Sequence, residues 1–399
     1  MLLFFLPSLV LIACTPKEPA FDQYGGTTNI SFEATGWFRV DSTDRRHYFV
    51  TPEGHAYVAI GANHISKFLN SEEANAFIEK NGPDFESAVA AMRQKMLDLN
   101  LNAGAAYQAE YFTDMPYIAG LEYPERTRFE FDVFDNERMD RWAASFRQQA
   151  AELADDKFLL GIALVDIPIW DSRRVDYYRK LPDSTAGKQA YLDFVQARYE
   201  DTTGVQLTEA EQHEFLGLVA ERFYKMAHDA IKASAPNHLF LGERFILREY
   251  PDPVIEVVGK YVDVFATQAL IRSIKRPPEW QYFQAEGYRR EHRLTGKPMI
   301  IIDWAAPFSL GEGYEHERGF IKSEEEAARD AADWLQAAFA EPYIIGVFKC
   351  QLIGTHGNDR WFPEGLMKRT YLQDDGTPFE YRTEITRQAH EKILDAVYK

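Results

Sequence analysis

Three acidic residues stand at the ends of apolar runs that have the length of buried β-strands. Asp303 closes MIII at 299–302, Asp166 closes GIALV at 161–165, and Glu243 lies within LFLGERF at 239–245. Cleavage of a glycosidic bond needs two carboxyl groups, one protonated to assist the leaving oxygen and one ionised to attack or to activate water. These three residues could supply such a pair. Each could instead be a structural carboxylate that pairs with an arginine such as Arg244.

Aromatic and polar residues near the same strand ends predict contacts with a sugar. Sugars present apolar C–H faces that stack on aromatic rings, and their hydroxyl groups form hydrogen bonds. The predicted contact residues follow or close the apolar runs: Asn63, His64, Trp170, Arg244, Trp304, Lys349, Gln351 and Trp361. An isolated Trp is more often a packing residue, His64 has a second interpretation as a proton shuttle, and Lys349 could balance a carboxylate cluster.

Strand-like and helix-like segments alternate from residue 57 to the C-terminus, which predicts a parallel sheet with helical crossovers. The candidate strands end at eight positions: Asn63, Ala106, Leu121, Asp166, Glu243, Gln268, Asp303 and Gln351. Eight ends predict a (β/α)8 TIM barrel, whose catalytic groups lie at the C-terminal ends of the strands. Predicted helices cover residues 85–99, 138–153, 209–234 and 324–339, and Asp135 is a start signal for the second.

Two segments extend this barrel. Residues 36–50 alternate as strands do, and Pro52-Glu53-Gly54 supplies a turn, so a β-hairpin is predicted before the first buried strand. A polar insertion at 172–208 follows strand four, on the face where barrels carry their active sites. Its tyrosines, Tyr177, Tyr178 and Tyr191, either stack on sugar or pack an extra helix.

Charge and motif content exclude several classes of function. The formal net charge is -18, which would repel a nucleic-acid backbone. HExxH and DxD-type metal motifs are absent from the sequence, as are the GxGxxG and GxxxxGK[ST] phosphate loops and the GxSxG nucleophile elbow. The pattern therefore favours cofactor-independent hydrolysis, and no metal site is predicted.

The N-terminal residues are typical of an exported lipoprotein. Residues 1–14, MLLFFLPSLVLIAC, are apolar but shorter than the roughly 20 residues that a membrane-spanning helix needs. LIAC resembles a lipobox, which predicts a lipid on Cys14 and a location in the cell envelope; an uncleaved apolar tail or a soluble secretory signal are the alternatives. We expect a tether at 15–30, a folded domain over 31–399, and a buried thiol at Cys350.

Several motifs together resemble the β-agarases and related barrels of the large retaining glycoside-hydrolase clan. They follow that family's order and approximate spacing: GWFRV at 36–40, TPEGHAYVAIGANH at 51–64, DDKFLLG at 155–161, APNHLFLG at 235–242, GKPMIII at 296–302 and DDGTP at 374–378. The resemblance implies a carbohydrate substrate, an agarose-like galactan in particular. It covers most of residues 36–399.

The chain departs from this family at its catalytic positions. The family places an acid/base glutamate after an asparagine at the end of strand four, where this chain has VDIPIW at 165–170, and a nucleophilic glutamate at the end of strand seven, where this chain has Asp303. We therefore expect Asp303 to be nucleophile or base and Glu243 or Asp166 to be the acid. The competing interpretations are a glycan-binding surface lipoprotein without turnover, and a lyase or esterase on the same barrel.

Overall fold

The computed structural model describes most of the chain from Ala20 to Lys399. The described residues are 20–65, 69, 74–82, 84–105, 112, 114–125, 130–166, 168–247, 250–269, 282–306, 308–309, 323–353, 367–368, 370–373 and 375–399. Cys14 and Trp361 lie outside them, and Asp166 is described by its backbone alone. Within these ranges, no helix has both the length and the apolar composition needed to cross a membrane.

A four-stranded antiparallel sheet, in the order β1-β4-β3-β2, precedes the barrel. Its strands are β1 (Thr27–Ser31), β2 (Arg39–Ser42), β3 (His47–Val50) and β4 (His55–Tyr57). The predicted hairpin is present, because β2 and β3 pair with Arg39 opposite Val50. β1 pairs with β4, so part of the segment 15–30 that we expected to be a tether lies within this sheet.

Asp22 holds the start of the described chain against the sheet. Its Oδ1 accepts hydrogen bonds from the backbone N–H groups of Tyr24 and Gly26, at 2.9 and 2.8 Å. Its Oδ2 contacts Thr51 Oγ1 at 2.5 Å and His55 Nδ1 at 2.8 Å. A buried carboxylate with four polar partners fixes the chain well before residue 30, which polarity and turn composition alone did not indicate.

Eight parallel strands close into a barrel, as predicted. They are β5 (Ala59–Asn63), β6 (Ala103–Ala105), β7 (Tyr117–Gly120), β8 (Leu159–Asp166), β9 (Phe240–Ile246), β10 (Phe265–Gln268), β11 (Met299–Trp304) and β13 (Ile344–Lys349). The closed order is β10-β11-β13-β5-β6-β7-β8-β9. A short antiparallel pair, β12 (Phe308–Ser309) with β14 (Met367–Lys368), lies outside the barrel.

The N-terminal sheet covers the N-terminal end of this barrel. Phe38, Phe49 and Tyr57 of the sheet share one buried cluster with Leu160 and Ile302 of the barrel strands. Strand side chains alternate between two faces, so the same strands place Leu164 and Ile301 in the second cluster, among the helices. With its N-terminal end covered, the barrel has its opening at the C-terminal ends of the strands.

Helices surround the barrel, and side-chain caps set where several of them begin. They are α1 (Asn75–Asn81), α2 (Phe85–Asp98), α3 (Asn136–Leu153), α4 (Ser172–Lys180), α5 (Ala186–Gln196), α6 (Glu209–Ser234), α7 (Asp252–Tyr261), α8 (Ala285–Thr295), α9 (Glu324–Ala340) and α10 (Arg382–Val397). Asp135 caps α3, as predicted, and Thr208 with Glu211 forms a capping box on α6.

The insertion after strand four folds into α4 and α5. Tyr178 is buried, and its hydroxyl donates to the Phe131 carbonyl and accepts from the Val133 N–H, each at 3.0 Å. Tyr191 is also buried and packs edge-on against Phe215. These two tyrosines pack the insertion against the barrel's helices, which supports the packing interpretation over sugar stacking.

Candidate active site at the barrel mouth

The predicted acidic residues lie on three strands of the barrel, and two of them are at C-terminal ends. Asp166 is the last residue of β8, and Asp303 is the penultimate residue of β11. Glu243 lies in the middle of β9, which continues to Ile246. Asp303 and Glu243 are buried, with exposed fractions of 3% and 1%. Position along a strand does not decide which of them faces the barrel mouth, because neighbouring side chains point to opposite sides.

An irregularity in β9 turns Glu243 away from the barrel interior. Gly242 has φ +70°, and the register of β9 against β8 shifts at this point. A Cβ at Gly242 would lie 2.8 Å from Val262 Cγ1, so glycine suits this position on both counts. Beyond it, Glu243 and Phe245 both contact side chains of the helix layer. Arg244 lies between them and therefore faces the barrel interior.

Glu243 is the centre of a buried hydrogen-bond network. The Tyr123 hydroxyl donates to its Oε1 at 2.5 Å, and Trp170 Nε1 donates to its Oε2 at 3.0 Å. The hydroxyl of Tyr224, on α6, donates to the same Oε2. Three donors from three separate segments satisfy this carboxyl group, as a buried acceptor requires. Glu243 thus ties β9 to α6 and to the segment that follows β8.

Burial dominates the electrostatics of this network. Burial raises the pKa of Glu243 above its usual value, against the opposing effects of its three donors and of nearby Arg174. The pKa values of Tyr123 and Tyr224 are raised well above the usual range, first by burial and then by the charge of Glu243. Arg174 is itself fully buried, and burial lowers the pKa of its guanidinium. The cluster is a desolvated set of groups in the helix layer.

Of the three predicted acidic residues, Asp166 and Asp303 remain at the C-terminal ends of their strands. Asp166 is in register with Arg244 on the neighbouring strand. Asp303 is in register with Gln268 of β10, and its carbonyl accepts from the Ala269 N–H at 2.9 Å. In the closed order, β8 and β11 are separated by two strands on one side and four on the other. The backbones of the two residues therefore lie on the rim of the barrel with two strands between them.

Trp170 and Trp304 are buried and stack on other aromatic rings, and their contact with sugar stays a prediction. Trp170 is 1% exposed; its ring stacks on Tyr224 at 5.8 Å, and the Arg174 guanidinium carbon lies 4.1 Å from its centroid. Trp304 is 2% exposed and stacks on Trp334 of α9 at 4.8 Å. Both rings are held in the helix layer, where aromatic packing stabilises the fold.

Lys349 also packs away from the mouth. Its Nζ lies 4.3 Å from the ring centroid of Trp304 and 5.4 Å from that of Tyr371, and the residue is 1% exposed. It is in register with Ala62, which belongs to the cluster that packs among the helices. A cation over two aromatic rings is a stabilising arrangement. These contacts show Lys349 packed over two aromatic rings, and its contact with substrate stays a prediction.

Asn63, His64 and Gln351 lie at the ends of the adjacent strands β5 and β13. Asn63 is buried, and its Nδ2 donates to the carbonyl of Ile302, the residue before Asp303. His64 has φ +64° and is half-buried. Gln351, also buried, follows Lys349 by two residues. Asn63 thus contacts strand seven at the residue before Asp303. Trp361 falls outside the described residues.

Part of the network around Glu243 was not expected from the sequence. Tyr123 follows β7, Arg174 lies in α4 and Tyr224 in α6, so its members are as much as 120 residues apart in sequence. The sequence near Trp170 could have indicated Arg174, which follows that predicted contact residue by four positions. Nothing in the nearby sequence indicated the two tyrosines, since they occupy ordinary apolar positions of a loop and a helix.

Among the described residues, one group of side chains has the spacing to hold a metal ion: Asp22, Glu53 and His55, whose ligand atoms lie within 4.8 Å of one another. The Asp22 oxygens are already occupied by four protein partners. That chemistry fits an anchor for the N-terminal segment better than a cation site. The group also lies at the covered end of the barrel, opposite the mouth.

Comparison with known proteins finds likeness in fold alone. No protein-family model matches the sequence, and no curated protein sequence matches it significantly. A crystal structure of an agarase, AgWH50C, superposes with a TM-score of 0.73 at 17% identity, covering 96% of this chain and 67% of that one. BpGH50 gives a TM-score of 0.74 at 16% identity over 94% of this chain and 86% of its own.

More distant barrels give weaker likenesses. A GH2 β-galacturonidase from Eisenbergiella tayi bound to galacturonate has a TM-score of 0.53 at 12% identity, over 89% of this chain and 54% of that one. The agarase structures thus fit better than this enzyme does. At these identities the comparisons speak for the fold, and they confirm that the chain has the (β/α)8 fold of the agarases that its motifs resemble.

Proposed function

We propose that this protein is a glycoside hydrolase in which Asp303 is the nucleophile or base and Asp166 is the acid. The observation that carries the proposal is the orientation of β9, because it directs Glu243 into the helix layer and leaves Asp166 and Asp303 as the other two predicted carboxyl groups, each at a strand end. The agarase-like fold supports a carbohydrate substrate, and the motif resemblance favours a galactan of the agarose type. Glu243, which we also considered as the acid, is enclosed among Tyr123, Trp170 and Tyr224.

The proposed chemistry needs two carboxyl groups in different protonation states. The acid protonates the oxygen of the leaving sugar while the second carboxylate attacks the anomeric carbon or activates a water molecule. A gap of about 5 Å between the two groups gives retention, and one of roughly 6.5–9.5 Å gives inversion. Aspartate is one methylene shorter than glutamate at both positions, which widens the gap and favours a single displacement by water.

The test is the release of reducing sugar from agarose and related galactans. Asp303→Asn and Asp166→Asn should each lower the rate by at least about 100-fold, in line with the loss of a general acid or base. Glu243→Gln is the matched control, because it alters a carboxyl group of the same region that faces the helices. Thermal unfolding of each variant checks that the fold is intact. Full activity in Asp303→Asn would exclude this mechanism.

A glycan-binding protein without turnover is the second candidate. The observation in its favour is that VDIPIW at 165–170 contains no glutamate, while Glu243 faces the helix layer and cannot take its place. This candidate expects saturable binding of oligosaccharide with no product after long incubation. Unsaturated products would instead indicate a lyase. Product analysis of the wild-type protein by mass spectrometry separates the three outcomes.

We also propose that the protein is exported and anchored by a lipid on Cys14, on the strength of LIAC at 11–14. Metabolic labelling with a fatty acid in a bacterial host should label the wild-type chain. Cys14→Ser should lose the label and leave the membrane fraction, whereas Cys350→Ser, the matched control at the other cysteine, should retain both. Equal labelling of wild type and Cys14→Ser would refute the anchor.

A further inference from the structure

The side-chain amide of Asn63 has a fixed orientation beside Asp303. Its nitrogen donates to the backbone carbonyl of Ile302, and a carbonyl can only accept a hydrogen bond, so the amide cannot be reversed. Asn63 Oδ1 therefore points away from that contact. Ile302 immediately precedes Asp303 in the chain, which keeps this oxygen in the neighbourhood of the proposed nucleophile.

Asn63 Oδ1 is a buried acceptor that lacks a partner among the described residues. Asn63 is 1% exposed, so the oxygen is largely removed from solvent. Nearly all buried polar atoms have hydrogen-bond partners, and an acceptor left without one weakens the fold. A bound donor would satisfy it.

Gln351 supplies a second acceptor of the same kind. Its Oε1 is buried and likewise has no partner in the described part of the chain. The strands that precede the two amides, β5 and β13, are adjacent and parallel, and their last registered pair is Ala62 with Lys349. Asn63 follows Ala62 directly and Gln351 follows Lys349 by two residues, so both amides lie at the C-terminal ends of these adjacent strands.

We propose that Asn63 and Gln351 form a subsite that binds the free hydroxyl groups of a neutral sugar residue next to Asp303. A hydroxyl can donate to each amide oxygen, whereas an O-methyl or O-sulfate group has no proton to donate. The carboxylate of Asp303 adds negative charge, which disfavours a sulfate or uronate. The subsite thus selects unsubstituted sugar residues over substituted ones. The proposal rests on the proposed function only in taking the ligand to be a carbohydrate.

Binding measured by calorimetry tests the subsite independently of turnover. The probes are an agarose-derived tetrasaccharide and the same tetrasaccharide after O-methylation, titrated into the full chain. Two lost hydrogen bonds to buried acceptors should weaken binding of the methylated probe by about 10- to 100-fold. Equal affinity for the two probes, or no binding of either, overturns the proposal.

Substitutions at Gln351 and Asn63 test whether this subsite causes the preference for the unmodified probe over the methylated one. Gln351→Met removes both polar atoms of the side chain at similar length. It should weaken binding of the unmodified probe and so reduce the ratio of the two affinities by about 10-fold. Gln351→Glu keeps an acceptor oxygen and should retain the preference. Asn63→Leu should resemble Gln351→Met, and unfolding curves check its fold. Unchanged discrimination in Gln351→Met and Asn63→Leu would contradict the assignment. Discrimination without hydrolysis would refute the proposed enzyme and leave the subsite standing.

Discussion

Replacing Glu243 with leucine should strongly destabilise the fold, because it removes the acceptor at the centre of a buried network. Tyr123, Trp170 and Tyr224 would then each keep a buried donor without its partner, and Arg174 would lose the nearby carboxyl charge. A buried polar group left unsatisfied costs about 1–3 kcal/mol, and breaking a buried charged network about 3–5 kcal/mol. These two costs overlap, so we expect the free energy of unfolding to fall by about 3–5 kcal/mol in Glu243→Leu.

The matched variant is Glu243→Gln, which keeps the shape and one acceptor oxygen. Its free energy of unfolding should fall by about 1–2 kcal/mol, because only some of the buried donors lose their acceptor. Urea unfolding followed by tryptophan fluorescence measures both variants, since Trp170 belongs to the network itself. A leucine variant within about 1 kcal/mol of wild type would show that burial of this carboxyl contributes little, in conflict with the unsatisfied-donor argument.

The pH dependence of the unfolding free energies of wild type and Glu243→Gln provides a second check. The folded-state pKa of Glu243 is raised, chiefly by burial. A group with a raised folded pKa contributes stability below its ordinary pKa, near 4.5, and that contribution is lost as pH rises through the folded value. Wild type should therefore gain stability relative to Glu243→Gln as the solution is made more acidic. A constant difference between pH 4 and 8 would contradict the raised pKa.

Three further perturbations have defined outcomes. Burial lowers the pKa of His390 to about 4. The fold should therefore lose stability as pH falls from 6.5 towards 4. In thermal unfolding over this pH range, His390→Gln should lose less stability than wild type. Glu324→Ala removes an acceptor for two backbone N–H groups at the start of α10 and should cost about 1–2 kcal/mol in urea unfolding. Gly242→Ala should cost at least about 1–2 kcal/mol by the same assay, because its φ is positive and Val262 leaves no room; stability equal to wild type would refute the account of β9.

Much of the barrel could be predicted because its signals are local. Apolar runs bounded by polar residues marked strand ends at Asn63, Asp166 and Gln268, and the structure confirms all three. Helix α6 was predicted with the bounds observed, since its apolar positions recur at helical spacing. These features depend on a few neighbouring residues, which a single sequence displays directly.

The orientation of side chains at the mouth could not be predicted in the same way. A strand ending in GERF does not reveal whether Glu243 or Arg244 faces inward, because one irregular residue reverses the alternation. Here Gly242 with φ +70° is that residue. Likewise, the enclosure of Trp170 depends on Tyr224, which lies 54 positions further along the chain and meets it only after α6 packs on the barrel.

The glycine in β9 also explains how substrate binding and turnover could be separated in this barrel. By directing Glu243 into the helix layer, it commits one carboxyl group to stability and turns Arg244 towards the interior. The proposed subsite then consists of the Asn63 amide at the end of β5 and the Gln351 amide after β13, and β11 with Asp303 lies between these strands and β9 with Arg244 in the closed order. A sugar would be oriented by these groups whether or not a proton donor stands opposite Asp303. Asp303→Asn should thus abolish cleavage while the Asn63 and Gln351 contacts persist, whereas Gln351→Met should weaken binding while the carboxyl pair remains.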